Sequence, residues 1–277
     1  MSSSAKLSDA TGAPAAPVNV AQMISRMFDK TPALWSVASL CLLFGAWEIA
    51  GLVPISIAFP TFSSTFMAFV EMVADGTMIY AYIQTLQPLL LGVAISAVLG
   101  VVLGVTTGLS RQAEWMITPV FIVLQAAPMA ALVPLVTFIY GIGLTAKTLA
   151  VVMLALPVIV LNAYKAVRHV NPSLVAMCRS FQGTRLQQIV KIIIPDASAV
   201  IFVGLRLGIA AGFIGVMLAE LLITPTGVGD LITYHRSVAN YAHMYAAVAS
   251  IIVVSTVTLA GLQRFEIRFL RPEKRNS

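Results

Sequence analysis

Six stretches of about twenty largely apolar residues, spread over the chain, limit what it can fold into. They run from Leu34 to Val53, Leu86 to Leu109, Trp115 to Tyr140, Leu144 to Asn162, Ala197 to Ile223 and Met244 to Leu262. Each is long enough to cross the hydrocarbon of a bilayer as a helix. A helix is the form that satisfies a single segment's backbone hydrogen bonds there without help from water. Charged residues make up 10% of the chain, against roughly 25% in soluble domains. The mean hydropathy is +0.93. The expectation is an all-α membrane protein with six transmembrane helices.

The basic residues set an orientation. With the N-terminus inside, beside Arg26 and Lys30, the inner segments carry Arg111, Lys165, Arg168, Arg179, Arg185 and Lys191. They also carry the C-terminal cluster Arg264, Arg268, Arg271, Lys274 and Arg275. The outer segments carry Lys147 and Arg236. Basic residues favour the cytoplasmic side, so both termini are expected there. The net charge of +6 is then a topology signal. It does not form a basic face for nucleic acid.

The expected organisation follows. Residues 1–30, rich in Ser, Ala and Pro, form a disordered cytoplasmic tail without the apolar core of a signal peptide. Residues 31–80 hold the first span and an outer amphipathic segment, Thr61 to Met72. Residues 81–263 form the main transmembrane domain, and 264–277 a basic cytoplasmic tail.

Small residues recur every four positions in span two (Gly92, Ser96, Gly100, Gly104, Gly108) and span five (Gly204, Gly208, Gly212). Such ridges bring helix backbones close in lipid and predict a tight bundle. Span three carries Pro119, Pro128 and Pro134, and span four Pro157, each able to kink its helix. The polar groups at depth are Glu48, Gln125, Arg206 and Glu220. Gln125, mid-span and beside the Ala126-Ala127-Pro128 break, is the best candidate for a translocation pathway, with Pro128 and Glu220 as further candidates. Glu48 and Glu220 lie near outer helix ends, which also suits an anchoring role. Arg206 can snorkel to the cytoplasmic interface.

Between spans four and five lies a basic loop, Tyr164 to Pro195. Leu174, Met177 and Phe181, then Leu186, Ile189, Val190 and Ile193, recur at threes and fours. Asn171-Pro172 marks a helix start, and Pro195 is expected to end the second helix. Two short helices hinged near Gln182-Gly183 follow, shaped for docking.

No G-x-x-x-x-G-K-[ST] loop occurs, so any ATP that drives this chain is hydrolysed elsewhere. No nucleophile–base arrangement stands out, so no catalytic residue and no enzyme activity are expected. Cys41, Cys178, His169, His235 and His243 are scattered, which predicts neither disulfide nor metal site, and no cofactor.

The segment LNAYKAVRHVNPSLVAMCRSFQGTRLQQIVKIIIP, from Leu161 to Pro195, resembles the cytoplasmic EAA motif of binding-protein-dependent ABC importer permeases. Laid on without gaps, Glu-Ala-Ala falls on Ala176, Met177 and Cys178, the Gly on Gln182, and Leu-Pro on Ile194-Pro195. The acidic residue is therefore missing, and the glycine stands one place on, at Gly183. Further resemblance lies in Phe59-Pro60-Thr61, Leu103-Gly104, Leu132-Val133-Pro134, Tyr140-Gly141-Ile142-Gly143, Gly204-Leu205-Arg206-Leu207, Ala219-Glu220 and Thr226-Gly227-Val228-Gly229-Asp230. The nitrate/sulfonate/taurine-type branch looks nearest.

This resemblance implies a type I ABC importer transmembrane domain and a path for a small solute. That solute could be a nitrate-, sulfonate- or taurine-like anion, or a small aromatic or heterocyclic compound. It implies two cytoplasmic ABC ATPase subunits, a periplasmic or lipid-anchored solute-binding protein and a permease homodimer set in membrane lipid. It also implies an ATPase-coupling loop built from Ala176, Met177, Cys178, Arg179, Phe181, Gln182, Gly183, Arg185 and Pro195. The alternative reading is a secondary transporter driven by an ion gradient. That class usually sets its coupling sites near the midplane.

Overall fold

Pro128 decides how the third apolar run folds. In the computed structural model this run is two helices, α4 (Arg111–Ala126) and α5 (Met129–Tyr140), bent by 99° at the break. A proline pushes the residue before it out of the helical region, and Ala127 has ψ 142°. The break expected at Ala126-Ala127-Pro128 is there, and it divides the run from Trp115 to Tyr140 into two helices. Pro119 and Pro134 lie inside α4 and α5 without ending either.

The structure describes residues 32–53, 56, 58–223 and 225–270. The expected disordered tail, 1–30, lies outside them. The chain divides into two units, 1–55 and 56–277. In the first unit, α1 spans Pro32–Leu52. The second unit contains α2 (Phe62–Ala74), α3 (Thr77–Leu109), the α4–α5 pair, α6 (Leu144–Arg168) and α7 (Pro172–Ser180). It continues with α8 (Arg185–Gln188), α9 (Ile194–Leu222), α10 (Val228–Ser237) and α11 (Tyr241–Leu270).

Among the described residues, four helical segments are long and apolar enough to cross a membrane: α3, α6, Arg185–Leu222 and α11. The α4–α5 pair makes a fifth if counted as one crossing. The apolar part of α1, Val37–Leu52, is shorter. The six-span count thus depends on α1. The helix α11 runs to Leu270, so the first residues of the expected C-terminal tail are helical.

Helix α6 is the axis of the second unit. Along α3, Gly92, Gly100, Gly104 and Gly108 lie against Val151, Ile159, Ala163 and Val167 of α6. The offset is constant, so the two helices run parallel in register. Along α9, Gly204, Gly208 and Gly215 lie against Asn162, Ile159 and Ala150, a descending order that makes α9 antiparallel to α6. A methyl on Gly104 would stand 2.7 Å from the Val160 carbonyl, which shows how closely the backbones pass. The parallel run of α3 and α6 also means that α4 and α5 together carry the chain back across the bundle.

The two ends of the bundle differ. One end has the short helices α2 and α10, packed through Ala68, Met72, Met78, Val228 and Ala246. The other has the α6–α9 connection and most of the charge. There Glu114 of α4 pairs with Arg168 of α6 at 3.1 Å and accepts a hydrogen bond from the Tyr164 hydroxyl at 2.6 Å. Arg206 of α9 reaches Glu266 of α11 at 3.7 Å, so it has an ionic partner inside the chain.

Candidate functional site: the connecting hairpin, the broken helix and a buried ion pair

The connection between α6 and α9 is a folded hairpin, each turn held by a local cap. Asn171 caps α7, accepting from the Ser173 N–H at 2.9 Å, and Pro172 sits where the helix needs no donor. After α7 the chain turns through Phe181–Gly183. Thr184 and Gln187 then form a reciprocal capping box that starts α8, at 3.3 and 2.8 Å. Gln188, largely buried, donates from Nε2 to the Gly183 carbonyl at 3.0 Å. Its Oε1 accepts from Arg179 Nε at 3.5 Å, which ties the two arms together. Sequence reasoning passed over Thr184, Gln187 and Gln188, although the Thr-x-x-Gln spacing was there to read.

The turn divides its demands between two residues. Gln182 takes the positive φ, 57°. Gly183 meets the need for room. A side chain there would collide with the sulfur of Cys178 and lie 2.8 Å from its carbonyl oxygen. The glycine stands one place on from the family pattern, and in this chain the close approach lies at Gly183.

Pro195 does not end the second arm. Helix α8 passes through a π-helical turn, Ile189–Ile193, straight into α9, and Pro195 lies in the first turn of α9. The π-helical turn just before it, where the Ile194 N–H bonds the Ile189 carbonyl, changes the bonding pattern at the point where Pro195 has no N–H to give. The expected stop is therefore corrected to a continuous helix from the hairpin into the bundle.

The hairpin displays an apolar edge. Met177, Phe181, Leu186 and Val190 are exposed, Phe181 by 82%. Ala176, Arg179 and Arg185 are exposed beside it, and Cys178 is partly covered. A capped, rigid turn that keeps a large aromatic in the open has the form of a contact surface.

At the α4–α5 break, Gln125, Ala126 and Pro128 are all exposed on the isolated chain. The apolar side chains Met116, Val120, Val123, Leu135 and Phe138 of the same two helices are exposed as well.

Glu220 sits elsewhere. Its side chain is buried at the end of the bundle opposite the hairpin. Lys147 Nζ of α6 donates to its Oε1 at 2.8 Å, and the Thr85 hydroxyl of α3 donates at 2.9 Å. The Gly229 N–H donates to Oε2 at 2.9 Å. Lys147 also donates to the Thr226 carbonyl at 2.9 Å, and Thr85 accepts from the Val228 N–H at 2.9 Å. The loop Thr226–Gly229 thus wraps the carboxylate. Gly227, with φ 94°, lies so close that a side chain would fall on Glu220. Lys147, expected as a topology charge in an outer loop, is buried and ion-paired.

Comparison with known proteins identifies the family. Residues 96–271 match the family described as binding-protein-dependent transport system inner membrane component. The taurine transport system permease protein TauC of Escherichia coli is 24% identical over 194 residues, 70% of each chain. A permease assigned to aliphatic sulfonates transport, SsuC of Bacillus subtilis, is 25% identical over 83% of this chain and 84% of its own. The riboflavin transport system permease protein RibX of Chloroflexus aurantiacus is 30% identical over 57% of this chain and 60% of its own.

Two solved structures share the fold. An amino acid ABC transporter with histidines aligns with TM-score 0.59 at 17% identity, covering 74% of this chain and 98% of that one. The MetNI methionine ABC transporter, inward facing, aligns with TM-score 0.57 at 15% identity, covering 72% and 98%. The fold is therefore the type I importer transmembrane domain, and the gradient-driven alternative is set aside. Since the family is a transport component whose ATP hydrolysis lies on a separate subunit, this multi-pass inner membrane chain is not an enzyme; it belongs to the binding-protein-dependent transport system inner membrane components and is the permease of an ABC importer.

Proposed function

We propose that the Asn171–Pro195 hairpin is the surface through which a cytoplasmic ATPase drives this permease. The observation that carries the reading is the exposed apolar edge Met177–Phe181–Leu186–Val190 on a turn fixed by caps on both sides. Arg179, Arg185 and Lys191 beside it suit acidic groups on the partner. Ala176 stands where the family pattern has an acid, so packing carries the contact that a salt bridge would otherwise share. A photo-reactive amino acid at Met177 should trap the ATPase in the assembled transporter, and the same probe at Ser237 should not. Trapping from Ser237 alone would reverse the assignment.

The orientation belongs to the same proposal, with the hairpin and both termini in the cytoplasm and α1 completing six spans. The basic residues Arg111, Lys165, Arg168, Arg179, Arg185 and Lys191 gather at the hairpin end, in keeping with the cytoplasmic preference for Lys and Arg. In a chain with Cys41 and Cys178 replaced, an impermeant thiol reagent on intact cells should label Ser237→Cys and spare Ser277→Cys. Outside labelling of position 277 would overturn the orientation.

The translocation path is proposed along the face that holds the α4–α5 break, between two copies of this chain. Gln125 would offer a polar group at mid-depth, and Pro128 the bend that presents it. Glu220 is engaged on all sides by its own chain, which favours its anchoring role. Two permeases, two ATPases and a solute-binding protein make the complete importer. Relatives carry names for the transport of taurine, aliphatic sulfonates, nitrate, bicarbonate and riboflavin, so a small oxyanion-bearing solute, or a small aromatic or heterocyclic compound, is the proposed cargo. Ligand binding to the cognate binding protein tests it, and tight binding of a cationic solute would refute it.

A further inference from the structure

At the end of the bundle away from the hairpin, helices α10 and α11 meet in a tight corner. Ala239 turns it with φ 56°. Two imidazoles close it: His235, in the last turn of α10, and His243, in the first turn of α11. Their ring centroids lie 4.9 Å apart and the rings are tilted by only 29°.

The surroundings of the two rings differ. Asn240 Oδ1 lies 3.0 Å from His243 Nδ1. The other nitrogen of that ring, Nε2, faces Glu71 Oε2 at 3.5 Å. Asp75, in the turn after α2, faces the same ring, and the Thr77 hydroxyl keeps its carboxyl below the usual range. His235 has no such partners. Its Nδ1 is buried with no hydrogen-bond partner among the described residues, and Tyr234 sets its ring edge-on at 5.2 Å. The groups that face the pair are therefore Glu71 and Asp75 from the α2 side and Tyr234 on α10, with Asn240 in the turn uncharged.

We propose that this stack is a proton-operated latch. It holds the end of α10 on α11 while His235 is neutral and frees the corner when His235 gains a proton. A proton added at His235 Nδ1 would be buried with no acceptor. Burial, and next the charge of His243, push the His235 imidazole below its ordinary value of 6.5. The sign follows. The latch contributes fully above about pH 6.5 and is lost as pH falls through the depressed value, because the released corner binds the extra proton.

The latch has a mechanical target. Helix α10 is held at its other end by the Gly229 N–H on Glu220 and by the packing of Val228, Leu231 and Ile232, so freeing His235 loosens the end at the corner alone. In the proposed orientation this corner faces the outside, and external acidity would loosen the outer surface of the importer.

Hydrogen–deuterium exchange of the full chain in lipid nanodiscs tests the latch, read on residues 228–243 between pH 7.5 and 5.0. Rates are normalised at each pH to an unstructured peptide of the same sequence. Protection of the parent should begin to fall near pH 6.5, the value of a released imidazole, by up to about tenfold per pH unit, and level off below the depressed value. In His235→Phe, which keeps an aromatic ring but cannot titrate, protection should not depend on pH. In His243→Gln, which removes one cause of the depression, the fall should level off at a higher pH, so the total loss of protection by pH 5.0 should be smaller. Constant protection in the parent overturns the proposal. So does a parent-like fall in His235→Phe, or a parent-sized loss in His243→Gln.

Discussion

Lys147→Met is expected to destabilise the folded bundle by about 3–5 kcal/mol, the usual cost of stripping one partner from a buried ion pair. The Glu220 carboxylate would stay buried, with Thr85 and the Gly229 N–H as its donors and no cation to balance it. The loop at Thr226 would also lose the donor that holds its carbonyl. Glu220→Gln should harm less, because an amide can still accept from Thr85 or Gly229, yet it strands the ammonium of Lys147. The double variant, Lys147→Met with Glu220→Gln, removes both charges and should regain much of the loss. Thermal unfolding in detergent, followed for the parent, both single variants and the double, reads these differences. If the double variant is no better than Lys147→Met, charge is not what the site balances.

Phe181→Ala is expected to weaken the hold on the ATPase by about 30- to 1,000-fold, the range of a buried aromatic anchor at an interface, roughly 2–4 kcal/mol. Phe181 is the most exposed large side chain of the hairpin and makes little contact with its own chain, so the free permease should insert and melt like the parent. Gly183→Val acts by another route. Its side chain would run into Cys178, distorting the turn that presents Phe181. It should abolish stimulation of the ATPase while membrane insertion continues. Co-purification of the ATPase, together with ATP turnover in the reconstituted complex, separates the two effects. Wild-type turnover in both variants would take the hairpin out of the coupling path.

What could be read in advance depended on whether the cause was local. The apolar runs were legible because lipid imposes a length and a polarity on each helix separately. The four-residue ridges in α3 and α9 were legible for the same reason, although nothing in them says that α6 is the shared neighbour. The hairpin could be sketched from its period and from Asn171-Pro172. Its second arm was misjudged because Pro195 was read as a stop, whereas the π-helical turn before it lets the helix run on. The break at Ala126-Ala127-Pro128 could be placed, but its 99° angle could not, because hydropathy continues across it. Prolines alone do not reveal it, because Pro88 and Pro157 sit within unbroken α3 and α6. Lys147 was misread because a charge beside a span usually reports topology. Its partner lies 73 residues on, and only the antiparallel packing of α6 and α9 brings the two together.

The uninterrupted run from Arg185 to Leu222 makes a stiff rod out of what would otherwise be a loop and a span. It has 38 residues, roughly 57 Å at 1.5 Å per residue. One end lies in the hairpin and the other carries Glu220. A rod of that length acts as a lever: a tilt of about 5° at the hairpin displaces the far end by about 5 Å. The π-helical turn at Ile189–Ile193 is where such a lever would flex, since its hydrogen bonding departs from that of the helices on either side. Stiffening that one turn would pass more of the tilt on, and softening it would absorb the stroke before it reached the opposite face.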